Sequence, residues 1–150
     1  MIKEDFEKLV YFTYDEKDLY GNYIFHDPEI LKHTSLKLML ILDKIREKFG
    51  YPIIIHCTYE TSGHTKHSWH YKGKACDFHF LCDFPYKDQV DILLNILKVL
   101  KLENKVGLGL YPDWEHKGFH LDVRGSKARW GRKKDIYVSF DKILKYINNK

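Results

Sequence analysis

The stretch from Thr34 to Ile55 constrains the fold more than any other part of the chain. Thr34-Ser35 offers a hydroxyl cap for a helix start. LKLMLILDKIREKF follows, with Leu36, Met39, Leu40, Leu42, Ile45 and Phe49 on one helical stripe. Gly50 stands where a helix releases its chain through a left-handed residue, and Pro52 forbids continuation. Ile53-Ile54-Ile55 then reads as a buried strand, because β-branched side chains fill a pleated surface well. A helix delivered straight into a buried strand needs a sheet to receive it and a layer to cover it.

The remaining segments supply both. Residues 58–74 lack any period and are rich in turn formers, so they form a loop. Ala75 to Leu81 reads as a second strand, and Pro85 opens a helix to about Leu102. Lys105 to Tyr111 is expected as a third strand and Phe119 to Val123 as a fourth. Arg129-Trp130 begins a short connection to a brief strand at Ile136–Val138. Ser139 caps a closing helix carrying Phe140, Ile143, Leu144 and Ile147. Residues 6–25 show turn chemistry at Tyr20-Gly21-Asn22 but no assignable period. The expectation is one α+β domain over 1–150, a small antiparallel sheet flanked by helices.

Composition removes several classes. Apolar residues make up 44% and charged residues 31%, which excludes disorder. No apolar run approaches the ~20 residues that span a bilayer, so membrane insertion is not expected. MIKEDFEKLVYF lacks the features of a signal peptide, and the chain is expected to be cytoplasmic as synthesised. The net charge of +4 is mild, but Arg124, Lys127, Arg129, Arg132, Lys133 and Lys134 gather late and suit an anionic partner such as a wall polymer. No nucleic-acid-binding motif accompanies them, and no nucleic-acid partner is expected. Three cysteines (Cys57, Cys76, Cys82) form neither an even framework nor a C-x-x-C pair, and read as reduced thiols. A monomer is expected.

Seven of the nine histidines lie between His56 and His120. His70 closes the long loop, Asp77 lies seven residues on in the following strand, and His120 sits in another expected strand. Two imidazoles and one carboxylate form the donor set of a catalytic zinc that keeps a fourth position for water. Gly73 lets the chain turn between the first two, and Ser68 is placed to hold the loop by a hydrogen bond.

Ser68-x-His70-x-x-Gly73-x-Ala75-x-Asp77, followed by a strand with His120, resembles the signature of the zinc D-alanyl-D-alanine peptidases. That superfamily includes carboxypeptidases, dipeptidases and L-alanyl-D-glutamate endopeptidases of bacteria and phages, with the Hedgehog domain as a fold relative. The block VGLGLYP…FHLDVRGSKARWG resembles the second half of the carboxypeptidase-like branch. The resemblance implies a Hedgehog/DD-peptidase-like fold, one Zn2+ on His70, Asp77 and His120, and hydrolysis of peptidoglycan stem peptides. A phage-lysis setting would fit. The alternative in another class is a non-catalytic, zinc-stabilised wall-binding module.

Two positions depart from the pattern. Several branches place an acid three residues before the last histidine ligand, where this chain has Lys117. Asp122, Glu115 and Asp113 are then the candidates for proton transfer, with Asp122 equally suited to orient His120 or to pair with Arg124 or Arg129. Glu60 stands where relatives carry an arginine that holds a substrate carboxylate; Lys66, Lys72 or Arg124 are candidates to replace it. Ser68, Glu60 and Arg124 are accordingly candidate substrate-side residues. His64 and His67 are expected as loop residues, one of them able to donate to an oxyanion.

Overall fold

The computed structural model describes residues 1–149. Among them the chain forms α1 (Pro28–His33), α2 (Leu36–Phe49), β1 (Ile53–Cys57), β2 (Ala75–Phe80), α3 (Tyr86–Val99), β3 (Gly107–Tyr111), β4 (Gly118–Asp122), β5 (Ala128–Lys133), β6 (Ile136–Ser139) and α4 (Phe140–Asn148). Short 3₁₀ turns cover Lys3–Lys8 and Trp69–Lys72. No helix among the described residues is long and apolar enough to cross a membrane.

Local chemistry sets the element ends as the sequence implies. Ser35 accepts from the Leu38 amide at the start of α2, and Gly50 ends that helix at φ +83°. Ser139 caps α4 in the same way. The buried face of α2 is rotated from the expected stripe: Leu38 is fully buried, while Leu40 is exposed. Asp43 lies on the buried side, where its carboxylate accepts from the Val10 and Tyr11 amides at 3.0 and 2.8 Å. That pair of charge-assisted bonds fastens the otherwise irregular N-terminal segment to α2.

The six strands form one sheet in the order β1-β2-β4-β3-β5-β6. The expected antiparallel sheet is corrected to a mixed one, because β3 and β5 pair in parallel. The cause is topological. β2 already occupies one edge of β4 and β3 the other, so the chain leaving β4 must cross β3 to reach a free edge. Residues 128–133, expected as a connection, are therefore a strand. Their alternation is masked because Arg129, Trp130 and Arg132 are polar or aromatic on both faces.

Strand alternation sorts the side chains. Cys76, Phe78, Phe119, Leu121, Leu108 and Leu110 join the core with Leu38, Leu42 and Ile45 of α2 and Leu93 and Leu97 of α3. The opposite face of the central strands carries Asp77, His79, His120 and Gly109. Tyr86 of α3 locks the hairpin between β3 and β4, accepting from the Tyr111 amide and donating to the Gly118 carbonyl.

Gly73 joins the two halves. It adopts φ +66°, its carbonyl accepts from Ser35 N at 2.8 Å, and a Cβ there would stand 1.7 Å from the His33 carbonyl oxygen. Gly63 has a similar φ of +88° with nothing near it. Gly63→Ala should therefore cost only the left-handed penalty of about 1–2 kcal/mol. Gly73→Ala should cost distinctly more in urea unfolding, and equal losses would contradict the packing described.

Candidate metal centre and cleft

One row of residues crosses the sheet on its open face. Cys57 pairs with Asp77, Asp77 with His120, His120 with Gly109 and Gly109 with Trp130. Antiparallel register thus sets Asp77 directly beside His120, 43 residues away in sequence. His70 arrives from the long loop. Ser68 Oγ accepts from the His70 amide at 3.2 Å, and Gly73 closes the turn.

Hydrogen bonds fix the ring tautomers. His70 Nδ1 lies 2.7 Å from the Thr58 carbonyl oxygen, which can only accept, so Nδ1 carries the hydrogen and Nε2 keeps its lone pair. His120 Nε2 donates to Asp122 Oδ2 at 2.8 Å, so in the neutral ring Nδ1 is the nitrogen with the lone pair. Those two lone pairs face one oxygen: Asp77 Oδ1 is 3.1 Å from His70 Nε2 and 3.0 Å from His120 Nδ1. Three donor atoms converging at this distance suit a cation, and in the metal-free protein a proton on His120 Nδ1 bridges to Asp77 instead. Zinc bonds of about 2.0–2.1 Å would give a tetrahedral edge of about 3.3 Å, close to these separations. The donor set therefore fits a zinc ion.

In the metal-free protein a proton takes the place of the cation. Burial opposes charge on His120, but its hydrogen bonds to Asp122 and Asp77 outweigh this and lift its pKa to about 9. Burial likewise works against the Asp77 carboxylate, yet the bonds to His120 and His70 hold it well below the usual range. Asp122 is depressed to about 2, its burial overcome chiefly by Arg124 and then by His120.

A second donor group, Cys57, His64 and His70, also has its atoms within 4.8 Å of one another. It shares His70 and is chemically weaker. Burial, with Asp77 beside it, pushes the Cys57 thiol strongly up, and His64 Nε2 already meets Glu60 Oε1 at 3.2 Å. His56 and His79 form a separate pair, Nε2 to Nδ1 at 2.8 Å, with burial lowering both to about 4.

The centre lies in a cleft of about 880 Å³. Ser68 and Arg124 line it, as do His64, Trp69 and Trp130. Asp122 and Glu115 do not. Asp122 is fully buried, its two oxygens taken by His120 and by Arg124 in a bidentate pair at 2.7 Å, so its geometry is that of an orienting group. Glu115 and Lys117 are exposed on the connection between β3 and β4, outside the cleft lining, and Asp113 is engaged by the Tyr146 hydroxyl and the Lys134 amide. Glu60 stands behind His64, whose ring stacks on His70 at 4.2 Å. Lys66 and Lys72 do not line the cleft, whereas Arg132 and Tyr137, which sequence reasoning left out of the site, do.

The Gly-x-Gly pair of β3 makes these contacts possible. A Cβ at Gly107 would stand 2.5 Å from Asp122 Oδ2 and 2.7 Å from Arg124 Nε, and one at Gly109 would stand 2.6 Å from Trp130 Nε1. Both glycines face the cleft side, and their bare backbone lets Arg124 reach Asp122 and Trp130 approach His120, ring to ring at 5.1 Å.

The family model for peptidase M15 matches residues 12–116. The chain belongs to the M15 peptidases. This is the family of the zinc D-Ala-D-Ala carboxypeptidases, and the protein is a zinc metallopeptidase. No curated protein and no solved structure matches significantly. The matched stretch contains His70 and Asp77 but stops short of His120, which strand register sets directly beside Asp77.

Two outcomes follow for this M15 peptidase. Asp122→Asn should weaken zinc binding by about 10–100-fold while preserving the fold, as measured by competition with a chelating dye; unchanged affinity would contradict the orienting role. In metal-free protein, His120 with a pKa near 9 against an ordinary 6.5 contributes stability that is complete below about pH 6.5. That contribution should be lost as pH rises through 9, and thermal melts of chelated wild type against His120→Gln measure it.

Proposed function

We propose that this M15 peptidase hydrolyses peptide bonds in the stem peptides of bacterial peptidoglycan, with His70, Asp77 and His120 as the ligands of one zinc. The observation that carries the reading is the convergence of His70 Nε2, His120 Nδ1 and Asp77 Oδ1 at the floor of an open cleft. The substrate class rests on the family resemblance and on charge. Asp77 is the one carboxylate among the lining residues, and a zinc ion would offset its charge; Arg132 and the unengaged edge of Arg124 then make the cleft suit an anionic peptide.

When bound, zinc would polarise the scissile carbonyl and make hydroxide available near neutral pH. The chain's own groups then have distinct tasks. Asp122 orients His120 by accepting from Nε2. Its other contacts hold Arg124 through Nε and Nη2, which leaves Nη1 for a substrate carboxylate next to the scissile bond. Arg124 thereby takes the place of the arginine that relatives carry at the position of Glu60. Trp69 and Trp130 flank its guanidinium, at 5.6 and 5.4 Å from Cζ, and limit its movement. Glu60 accepts from His64 Nε2, and we assign His64 to hydrogen-bond the reacting peptide through its other ring nitrogen. Wall degradation during phage lysis is the setting in which we place the enzyme.

Release of free amino groups from purified peptidoglycan tests the reading. Zinc-loaded wild type should release them, and His120→Ala should lower the rate by at least about three orders of magnitude. His64→Ala should lower kcat by about 10²-fold or more with little change in KM, as loss of a group acting in the transition state does. A folded, zinc-loaded wild type that releases nothing would contradict the proposal.

A further inference from the structure

The cleft carries more positive charge than its metal ligands account for. Arg124 is neutralised by Asp122 at 2.7 Å through two donors. Arg129 turns the other way and donates to the carbonyls of Val106, Ala128 and Glu103. Arg132 differs from both. It lines the cleft, and its ion pair is a 3.8 Å contact to Asp135, a carboxylate 98% exposed. A surface pair of that kind contributes almost nothing. Arg132 Nε is also shut from solvent with no acceptor among the described residues.

β5 sets the position of this charge. Trp130 and Arg132 alternate onto the cleft face, while Gly131 between them faces Ile143, which would stand 2.3 Å from a Cβ there. Arg132 is paired across the sheet edge with Tyr137, and the guanidinium lies 5.3 Å from the Tyr137 ring. Such a platform holds the guanidinium plane and leaves edge donors for a ligand. The Trp130 ring is 5.1 Å from the His120 ring. Arg132 is the next residue on that face, roughly 6.6 Å farther along the strand. An extended peptide advances roughly 3.3 Å per residue, so two steps from the residue lying beside Trp130 and His120 reach Arg132, which makes it the neighbour of the third residue counted from the scissile bond.

We propose that Arg132 forms a second anion subsite, taking a carboxylate that the substrate carries about three residues from the scissile bond. The inference rests on the peptidoglycan reading above. In a stem peptide cut between its two terminal D-alanines, the group at that distance is the free α-carboxylate of the γ-linked D-glutamyl residue. Arg132 thus acts as a specificity determinant, distinguishing stem peptides with that carboxylate from those in which it is a carboxamide. Arg124, beside the centre, meets the terminal carboxylate instead.

The experiment uses one stem pentapeptide in two forms, with the D-glutamyl α-carboxylate free or amidated. Calorimetric binding and initial rates are measured for zinc-loaded wild type, Arg132→Gln and Arg132→Lys. Wild type should bind the acid at least about tenfold tighter than the amide, as expected for one charge-assisted contact. Arg132→Gln should reduce that preference to within about twofold, and Arg132→Lys should restore part of it. Equal binding of the two forms by wild type, or a preference that survives in Arg132→Gln, overturns the proposal. Binding that prefers the acid with no hydrolysis of either form would reject the catalytic reading and leave the subsite standing.

Discussion

A single carboxylate oxygen organises this protein. Asp77 Oδ1 sits within 3.1 Å of two imidazole nitrogens whose hydrogens are committed elsewhere, to the Thr58 carbonyl and to Asp122. Without a metal, a proton on His120 holds the contact to Asp77 together; deprotonated, the three atoms are arranged as a ligand set for a divalent cation. The arrangement depends on register, since moving β2 by one residue against β4 would swap Asp77 for Cys76 or Phe78 and turn the core outward. Cys76, Phe78, Phe119 and Leu121 are fully buried on the reverse face of the same two strands. The hydrophobic core that stabilises the sheet is thus also what aligns the donors.

The third donor needs a different device, because His70 lies on a loop. Several contacts substitute for strand pairing: the Ser68 cap, the left-handed turn at Gly73, and the Thr58 carbonyl on Nδ1. Thr58 is in turn hydrogen-bonded to Thr34, between α1 and α2, at 2.9 Å. The helix that starts at Ser35 and the loop that ends at Gly73 are joined by one backbone bond. Rigidity is passed from the helical layer to the loop, as a site held to sub-ångström tolerance requires.

Much of this was legible in the sequence, and the exceptions have physical causes. Ser35, Gly50 and Ser139 announce element ends because capping chemistry is local. The Ser68-to-Asp77 motif and His120 were readable as a candidate donor set through their resemblance to the zinc D-Ala-D-Ala peptidases, since a histidine and an acid at that spacing are by themselves modest evidence. The course of β5 was not readable, since Ala128–Lys133 owes its strand to the free edge of β3 rather than to its own alternation. Arg132 was hidden for the same reason: a cation in a supposed connection gives no sign that it will face a cleft. Asp122 looked equally like a base and an orienting group in sequence, and full burial between His120 and Arg124 favours the second. The two glycines of β3 showed only as a pattern; the side chains they make room for come from β4, from the segment after it and from β5.

The proposed zinc ligands are Asp77, His70 and His120, and not Cys57. X-ray absorption at the zinc edge of the zinc-loaded protein tests that assignment most directly, because zinc–sulfur bonds of about 2.3 Å separate clearly from zinc–nitrogen and zinc–oxygen bonds of about 2.0–2.1 Å. Wild type should show a first shell of nitrogen and oxygen alone, with scattering from two imidazoles that falls to one in His120→Ala. A sulfur shell in wild type, lost in Cys57→Ser, would contradict the assignment.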